Sequence, residues 1–338
     1  MAAFAPNAFA GAVNFGGEEL KLGVEYHAEF SYKDNGLMEA DKGDEQTKTT
    51  NIGLSEANLT LVGKLSKDVT LDMNWSAARA SGNWFLVDYQ AMDALMVRVG
   101  QDAANIGGWE NENDLYDIFA KSIYNTNFRP WGASGFIEVQ YDLGSAGKVG
   151  LQFLNDVVGD AASLRFNNAS KQPTGILEYR GNFGMVSPLV QVGTYDANHS
   201  MVYSLGVNLK VADLDAYIDY TADNMALRET LGSSKEVITA HTSLVADLRY
   251  TLNQVQYFLK YSMYDQKQEP TDIKVNAKAG EFSDNGSRWA VGARCNWVTA
   301  YNPYLALQSS SGKWTNPKDS KEKSYSEMDI LFGVMGKI

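Results

Sequence analysis

Strand-period alternation recurs along nearly the whole chain and runs into its last residue. In the terminal stretch "SYSEMDILFGVMGKI", Met328, Ile330, Phe332, Val334, Gly336 and Ile338 are apolar or glycine at every second position. "LKLGVEYHAEFSY" sets Leu20, Leu22, Val24, Tyr26, Ala28, Phe30 and Tyr32 against Lys21, Gly23, Glu25, His27, Glu29 and Ser31. "MVYSLGVNLKV" and "VQYFLKYSMY" repeat the pattern, with Leu205, Val207 and Leu209 against Ser204 and Asn208, and with Tyr257, Leu259 and Tyr261 against Lys260 and Ser262. Successive side chains of a strand point to opposite faces, so each segment has one apolar and one polar face. Every such apolar face has to lie on a core or on lipid.

The pattern predicts strands at about 19–33, 51–65, 69–79, 84–90, 94–101, 134–142, 147–157, 173–183, 185–195, 200–211, 214–222, 238–251, 254–265, 287–298, 303–310 and 325–338. That is an even number, at the length of roughly 9–11 residues that a tilted strand needs to cross a bilayer. The connections alternate. Short turns such as "KDV", "AMD", "GSAG" and "NQ" fall at one end. The other end holds the long polar stretches 34–50, 102–133, 158–172, 223–237, 266–286 and 311–324, with only 80–83 and 196–199 brief. A soluble sandwich has no reason to sort its turns this way, whereas a membrane barrel has short periplasmic turns and longer outer loops. The expectation is an all-β chain, a closed 16-stranded antiparallel transmembrane β-barrel. Its last strand pairs with its first, because bare edges do not survive in hydrocarbon. The mean hydropathy of −0.29 does not oppose this, since alternating strands average out.

Composition narrows the function classes. A formal charge of −12 argues against nucleic-acid binding, which needs clustered Lys and Arg. The single cysteine, Cys295, excludes an intrachain disulfide and leaves no paired-thiol site for zinc or redox chemistry. Aromatics cluster near predicted strand ends, among them Trp75, Tyr141, Tyr179, Tyr220, Tyr250, Trp289 and Trp297, in the manner of interfacial girdles. Residues 1–18 read as an export remnant or flexible N-terminal segment, with "AFA" at Ala8–Ala10 like the tail of a secretory signal. Residues 19–338 read as one barrel domain.

The stretch 102–133, "DAANIGGWENENDLYDIFAKSIYNTNFRPWGAS" from Asp102 on, is the longest interruption. Leu115, Ile118, Phe119 and Ile123 sit at helical spacing after the acidic "ENEND", which predicts a short amphipathic helix. Trp109, Phe119, Phe128 and Trp131 need burial, and the inside of the barrel offers it. With sixteen strands and the third outer connection longest, following "MVRVGQ", the chain resembles the trimeric porins of Gram-negative outer membranes. "RVGQ" and "ELKLG" are also similar to the phosphate-selective porin O/P group. The resemblance implies that 102–133 folds inward as a constriction loop, and that the chain is a homotrimer in an outer membrane. Two features depart from the family: Ile338 stands where the family usually ends in Phe, and the second outer connection, "ASGN", is too short to latch onto a neighbour.

If the apolar faces meet lipid, the other register lines a channel. Arg98 then lies across the bore from Arg249, Lys260 and Arg294. The loop supplies Glu110, Glu112, Asp114 and Asp117, and these eight residues are the expected pore constriction, with a transverse field between acidic loop and basic wall. Elsewhere the lining is acidic, including Glu25, Glu29, Asp72, Asp88, Glu138, Asp142, Asp219 and Asp247. The expected function is passive diffusion of small hydrophilic solutes and ions through a water-filled, weakly cation-selective pore. The expected partners are outer-membrane lipids and those solutes. A substrate-selective porin, for phosphate or an oligosaccharide, is the alternative. A barrel enzyme has little support: the histidines are His27, His199 and His241, and no GxSxG elbow occurs. No catalytic residue, metal or cofactor is expected.

Overall fold

The computed structural model describes residues 11–15, 18–36, 47–76, 81–102, 104–112, 122, 134–154, 174–196, 200–229, 235–269, 283–297, 301–315 and 322–337. The first half of the wall is β2 (Glu18–Gly36), β3 (Thr47–Ser66), β4 (Val69–Ser76), β5 (Ser81–Met92), β6 (Leu95–Asp102), β7 (Ser134–Asp142), β8 (Lys148–Leu154) and β9 (Thr174–Arg180). The second half is β10 (Val186–Asp196), β11 (Ser200–Val211), β12 (Leu214–Glu229), β13 (Lys235–Leu252), β14 (Val255–Glu269), β15 (Ser283–Cys295), β16 (Asn302–Thr315) and β17 (Glu322–Lys337). Each strand pairs antiparallel with the next, and β17 returns to β2, with Phe332 opposite Phe30 and Lys337 opposite Glu25. The sheet is therefore the expected closed barrel of sixteen strands.

The alternation read from the sequence sets which face is which. Leu205, Val207, Leu209, Leu259, Tyr261, Ile330 and Phe332 are exposed on the outside. Their sequence neighbours Ser204, Asn208, Lys260, Ser262 and Asp329 are buried on the inside. The terminal apolar stripe thus lies on the outer face of the closing strand. Several strands run beyond their expected outer ends. β12 reaches Glu229, β13 starts at Lys235 and β14 reaches Glu269, so the ladder continues past the point where the apolar alternation fades. Backbone pairing needs no apolar face.

The expected N-terminal segment differs at one place. Residues 11–15 form β1 (Gly11–Phe15), which pairs antiparallel with β2 from Gly11 opposite Leu22 to Phe15 opposite Glu18. β17 leaves β2 at Glu25, so β1 takes up the stretch of β2 edge just beyond. An open edge draws a partner because its N–H and C=O groups need hydrogen bonds. Residues 1–10 lie outside the described residues.

One α-helix is described, α1 (Gly108–Glu112), in the long connection between β6 and β7. The expected helix around Leu115–Ile123 lies outside the described residues, apart from Ser122.

Candidate functional site

The third outer connection turns inward as soon as it leaves β6. Gly107 and Gly108 adopt left-handed backbone, at φ +111° and +71°, where side chains are costly. A Cβ on Gly108 would also sit 2.5 Å from the Asp219 carboxyl carbon. α1 then lies along β10, β11 and β12. Gly206 on β11 makes room for it: a Cβ there would collide with the Asp219 carboxylate and lie 2.9 Å from the Trp109 indole.

Apolar contacts hold the connection to the wall. Ala104 and Ile106 are fully buried against Leu86, Phe136, Leu154, Ile176 and Val202. Trp109 packs on Leu189, Tyr217 and Val245. These wall residues are apolar groups in the inward, otherwise polar register. A separate apolar patch of the inner wall, Phe258, Ala290, Tyr304, Ala306, Leu331 and Met335, contains none of the described residues of the connection.

Polar anchors fix the register. The Asn105 backbone N–H donates to Gln152 Oε1 at 2.9 Å, and its side-chain amide donates to Glu178 Oε2 at 2.7 Å. The Gly108 N–H donates to Gln191 Oε1 at 3.1 Å, and the Glu110 N–H to Asp219 Oδ2 at 2.8 Å. The Glu110 side chain accepts from the Ser122 N–H at 2.7 Å and from the Ser122 hydroxyl at 2.5 Å, and it forms an ion pair with Lys260 of β14. Burial pushes the Glu110 carboxyl up. The Lys260 ammonium and the Ser122 donors outweigh that and hold it below the usual carboxylate range.

The other expected constriction residues are placed as follows. Arg98 on β6 binds Asp88 of β5 in bidentate fashion, at 2.6 and 2.9 Å, with Glu138 of β7 at 3.9 Å. Arg249 on β13 binds Asp247 at 2.8 Å and stands over the Tyr217 ring at 5.5 Å. Arg294 on β15 donates to Gln256 at 2.8 Å. Glu112 ends α1, and its side chain, like the whole of Asp114 and Asp117, lies outside the described residues. Among the described residues, the expected charges make one direct contact between loop and wall, Glu110 with Lys260, where each desolvated charge is stabilised by closing on its counter-charge.

Gln152, Glu178 and Gln191 are missing from the expected set, and Asp219 appears there only as one of many lining carboxylates. A signal for the docking belt was present. Phe136 stands in the polar register of "GFIEVQY", and Leu154 and Val202 do the same on their strands. Apolar residues turned into a water-filled bore need a cover.

A closed sixteen-stranded barrel, apolar outside and polar inside, with its third outer connection anchored to the inner wall, decides the architecture. This is the outer-membrane porin fold. Solved porin-fold structures are similar over almost their whole length. The anion-selective porin from Comamonas acidovorans matches with a TM-score of 0.63 at 13% identity, covering 95% of this chain and 100% of that one. The outer membrane channel DcaP of Acinetobacter baumannii matches with 0.64 at 13% identity, covering 97% and 100%. OmpT, an outer membrane protein of Vibrio cholerae, matches with 0.63 at 10% identity, covering 97% and 100%. No protein-family model matches the chain, and no curated protein matches it. At such identities the likeness speaks for the porin fold alone.

Proposed function

We propose that the chain is a porin of a Gram-negative outer membrane that passes small hydrophilic solutes and ions by passive diffusion, as a channel and not as an enzyme. The observation that carries this reading is the docking of 104–112 on the inner wall. A connection anchored inside a barrel narrows the bore without closing it when its anchors lie on one arc, and these come from β8, β9, β10, β12 and β14. In this reading 102–133 is the constriction, with Glu110, Glu112, Asp114 and Asp117 on the loop and Arg98, Arg249, Lys260 and Arg294 on the wall.

A weak cation preference is part of the proposal. Arg98, Arg249 and Lys260 are held by carboxylates, and the chain as a whole carries −12. Fixed negative potential enriches cations locally, and salt limits its reach to about 8–10 Å near physiological strength. A homotrimer is proposed as well; one similar solved structure is described as a trimer form. A substrate-selective porin is the second reading, and inner-wall aromatics such as Tyr217, Phe258 and Tyr264 favour it.

The test is single-channel recording in planar bilayers. The wild type is expected to conduct in potassium chloride. Deletion of Asn105–Thr126 is expected to raise the conductance and admit larger solutes. Unchanged conductance in a correctly folded deletion variant would place the constriction elsewhere.

A further inference from the structure

Ion selectivity depends on charges that water reaches and that no counter-charge cancels. Several reachable carboxylates of the inner wall are cancelled at close range. Glu25 pairs with Lys337 at 2.6 Å, Asp88 with Arg98 at 2.6 Å, Asp215 with Lys210 at 3.3 Å and Glu327 with Lys33 at 3.6 Å. Asp142, where β7 meets its turn, has Lys148 directly opposite it on β8. A charge beside its counter-charge acts on a passing ion as a short dipole, with far less reach than a single charge.

Glu29 and Asp72 differ. Glu29 on β2 is 21% exposed and accepts the Tyr304 hydroxyl at 2.6 Å. Tyr304 reaches it from β16 across Gly333 of β17, where a Cβ would sit 2.5 Å from the tyrosine oxygen. The His27 ring, 3.6 Å from Glu29, is uncharged well above the ordinary histidine value of about 6.5. Asp72 on β4 is half-buried and accepts the Trp84 indole N–H at 2.9 Å. Among the described residues, neither carboxylate forms an ion pair with a lysine or arginine. Each is fixed by a neutral donor, so no basic side chain cancels it. The contacts that hold 104–112 fall on β5 and on strands from β7 to β14, whereas β2 and β4 belong to the rest of the ring.

We infer that Glu29 and Asp72 are specificity-determining residues of the bore, the wall charges that draw cations into it. The inference rests on the porin reading and names the residues behind its cation preference. Neither carboxylate is a binding site; each acts through its potential on an ion that passes in water. Glu110 contributes less by comparison, because Lys260 closes on it. At about 7 Å in water, one unit charge changes the local concentration of a monovalent ion about threefold before screening. Salt shortens that reach, from about 10 Å at 0.1 M to about 3 Å at 1 M.

The experiment is the reversal potential of the full chain in planar bilayers, in a potassium chloride gradient at mildly alkaline pH, where histidine is neutral. Glu29→Gln and Asp72→Asn keep an oxygen to accept the Tyr304 and Trp84 donors, so each removes charge and spares the hydrogen bond. Each is expected to lower the ratio of potassium to chloride permeability by about twofold in dilute salt, and the double variant by more. Glu29→Asp and Asp72→Glu, which keep the charge, are expected to keep the cation preference. The effect of the double variant is expected to shrink at about 1 M salt, because screening weakens a field and leaves a change of shape untouched. Heat-modified gel migration checks that each variant is a folded barrel. A conducting double variant with the wild-type ratio, or a change that persists at about 1 M salt, would overturn the inference and leave the porin reading standing. If the wild type conducts but prefers anions, the cation preference falls; a further shift toward chloride in the double variant then upholds the role of the two carboxylates, and no shift overturns it. A barrel that does not conduct sinks the porin reading and this inference with it.

Discussion

Glu110 is the residue on which the inward connection turns. It sits 1% exposed, tied to Lys260 and Ser122. Removing one member of a buried pair leaves the other uncompensated, at a cost of about 3–5 kcal/mol. Glu110→Gln and Lys260→Met are therefore each expected to loosen the connection and to make single-channel current noisier. The double variant should be milder than the sum, because no lone charge is left inside. The pH dependence follows from the sign of the shift. The carboxyl is held below its ordinary value of 4.5, so its contribution is complete above that value and is lost as pH falls through the lower folded-state value. The contribution of this pair, read as the difference in current noise between the wild type and Glu110→Gln, should persist at mildly acidic pH and vanish only in stronger acid; a difference already lost near neutrality would contradict this. The sequence marked Glu110 and Lys260 as charges near the constriction. It could not show that they touch, because alternation assigns a face to each residue and says nothing of how far a connection reaches across it.

At the scale of the strand, periodicity was a good guide where both faces had distinct solvents. The segment expected at 134–142 is β7 to the residue, and 200–211 is β11. It stopped short at the outer ends of β12, β13 and β14, which run past the residues that carry the alternation. β1 was missed because "GAVNF" is too short and too rich in small residues to separate from a leader segment. α1 was not expected, since the apolar spacing that suggested a helix begins after it. The closing strand invites a direct test. Ile330 and Phe332 face outward at the β17–β2 seam, opposite Tyr32 and Phe30. Lysine at the lipid midplane costs about 2–4 kcal/mol and aspartate less. Ile330→Lys is expected to lower the yield of heat-modifiable barrel more than Phe332→Asp does; normal yield from both would show that the seam does not depend on its apolar face.

For the whole molecule the expected electrical signature is a mild cation preference, read as a reversal potential in a salt gradient. Neutralising Arg98 and Arg294 together should strengthen it, because Asp88 loses its counter-charge and the wall loses two positive groups. Lys260 is left out of that pair, since its loss would undo the loop's anchor and confuse field with shape. Anion selectivity in the wild type would overturn the ranking in favour of a substrate-selective porin. The anchors also have a consequence in time. The connection leaves the wall after β6, yet its partner Asp219 lies 109 residues from Glu110 along the chain, and Lys260 further still. Those anchors stand on β8, β9, β10, β12 and β14, so the surface on which the connection docks exists only after these strands have paired. Refolding into detergent or lipid should therefore show two phases: barrel closure first, followed by a slower rise in protection of the Trp109 region from quencher. A single phase shared by both signals would refute this order. If the order holds, each newly assembled copy is briefly a wide, leaky hole before it becomes a sieve.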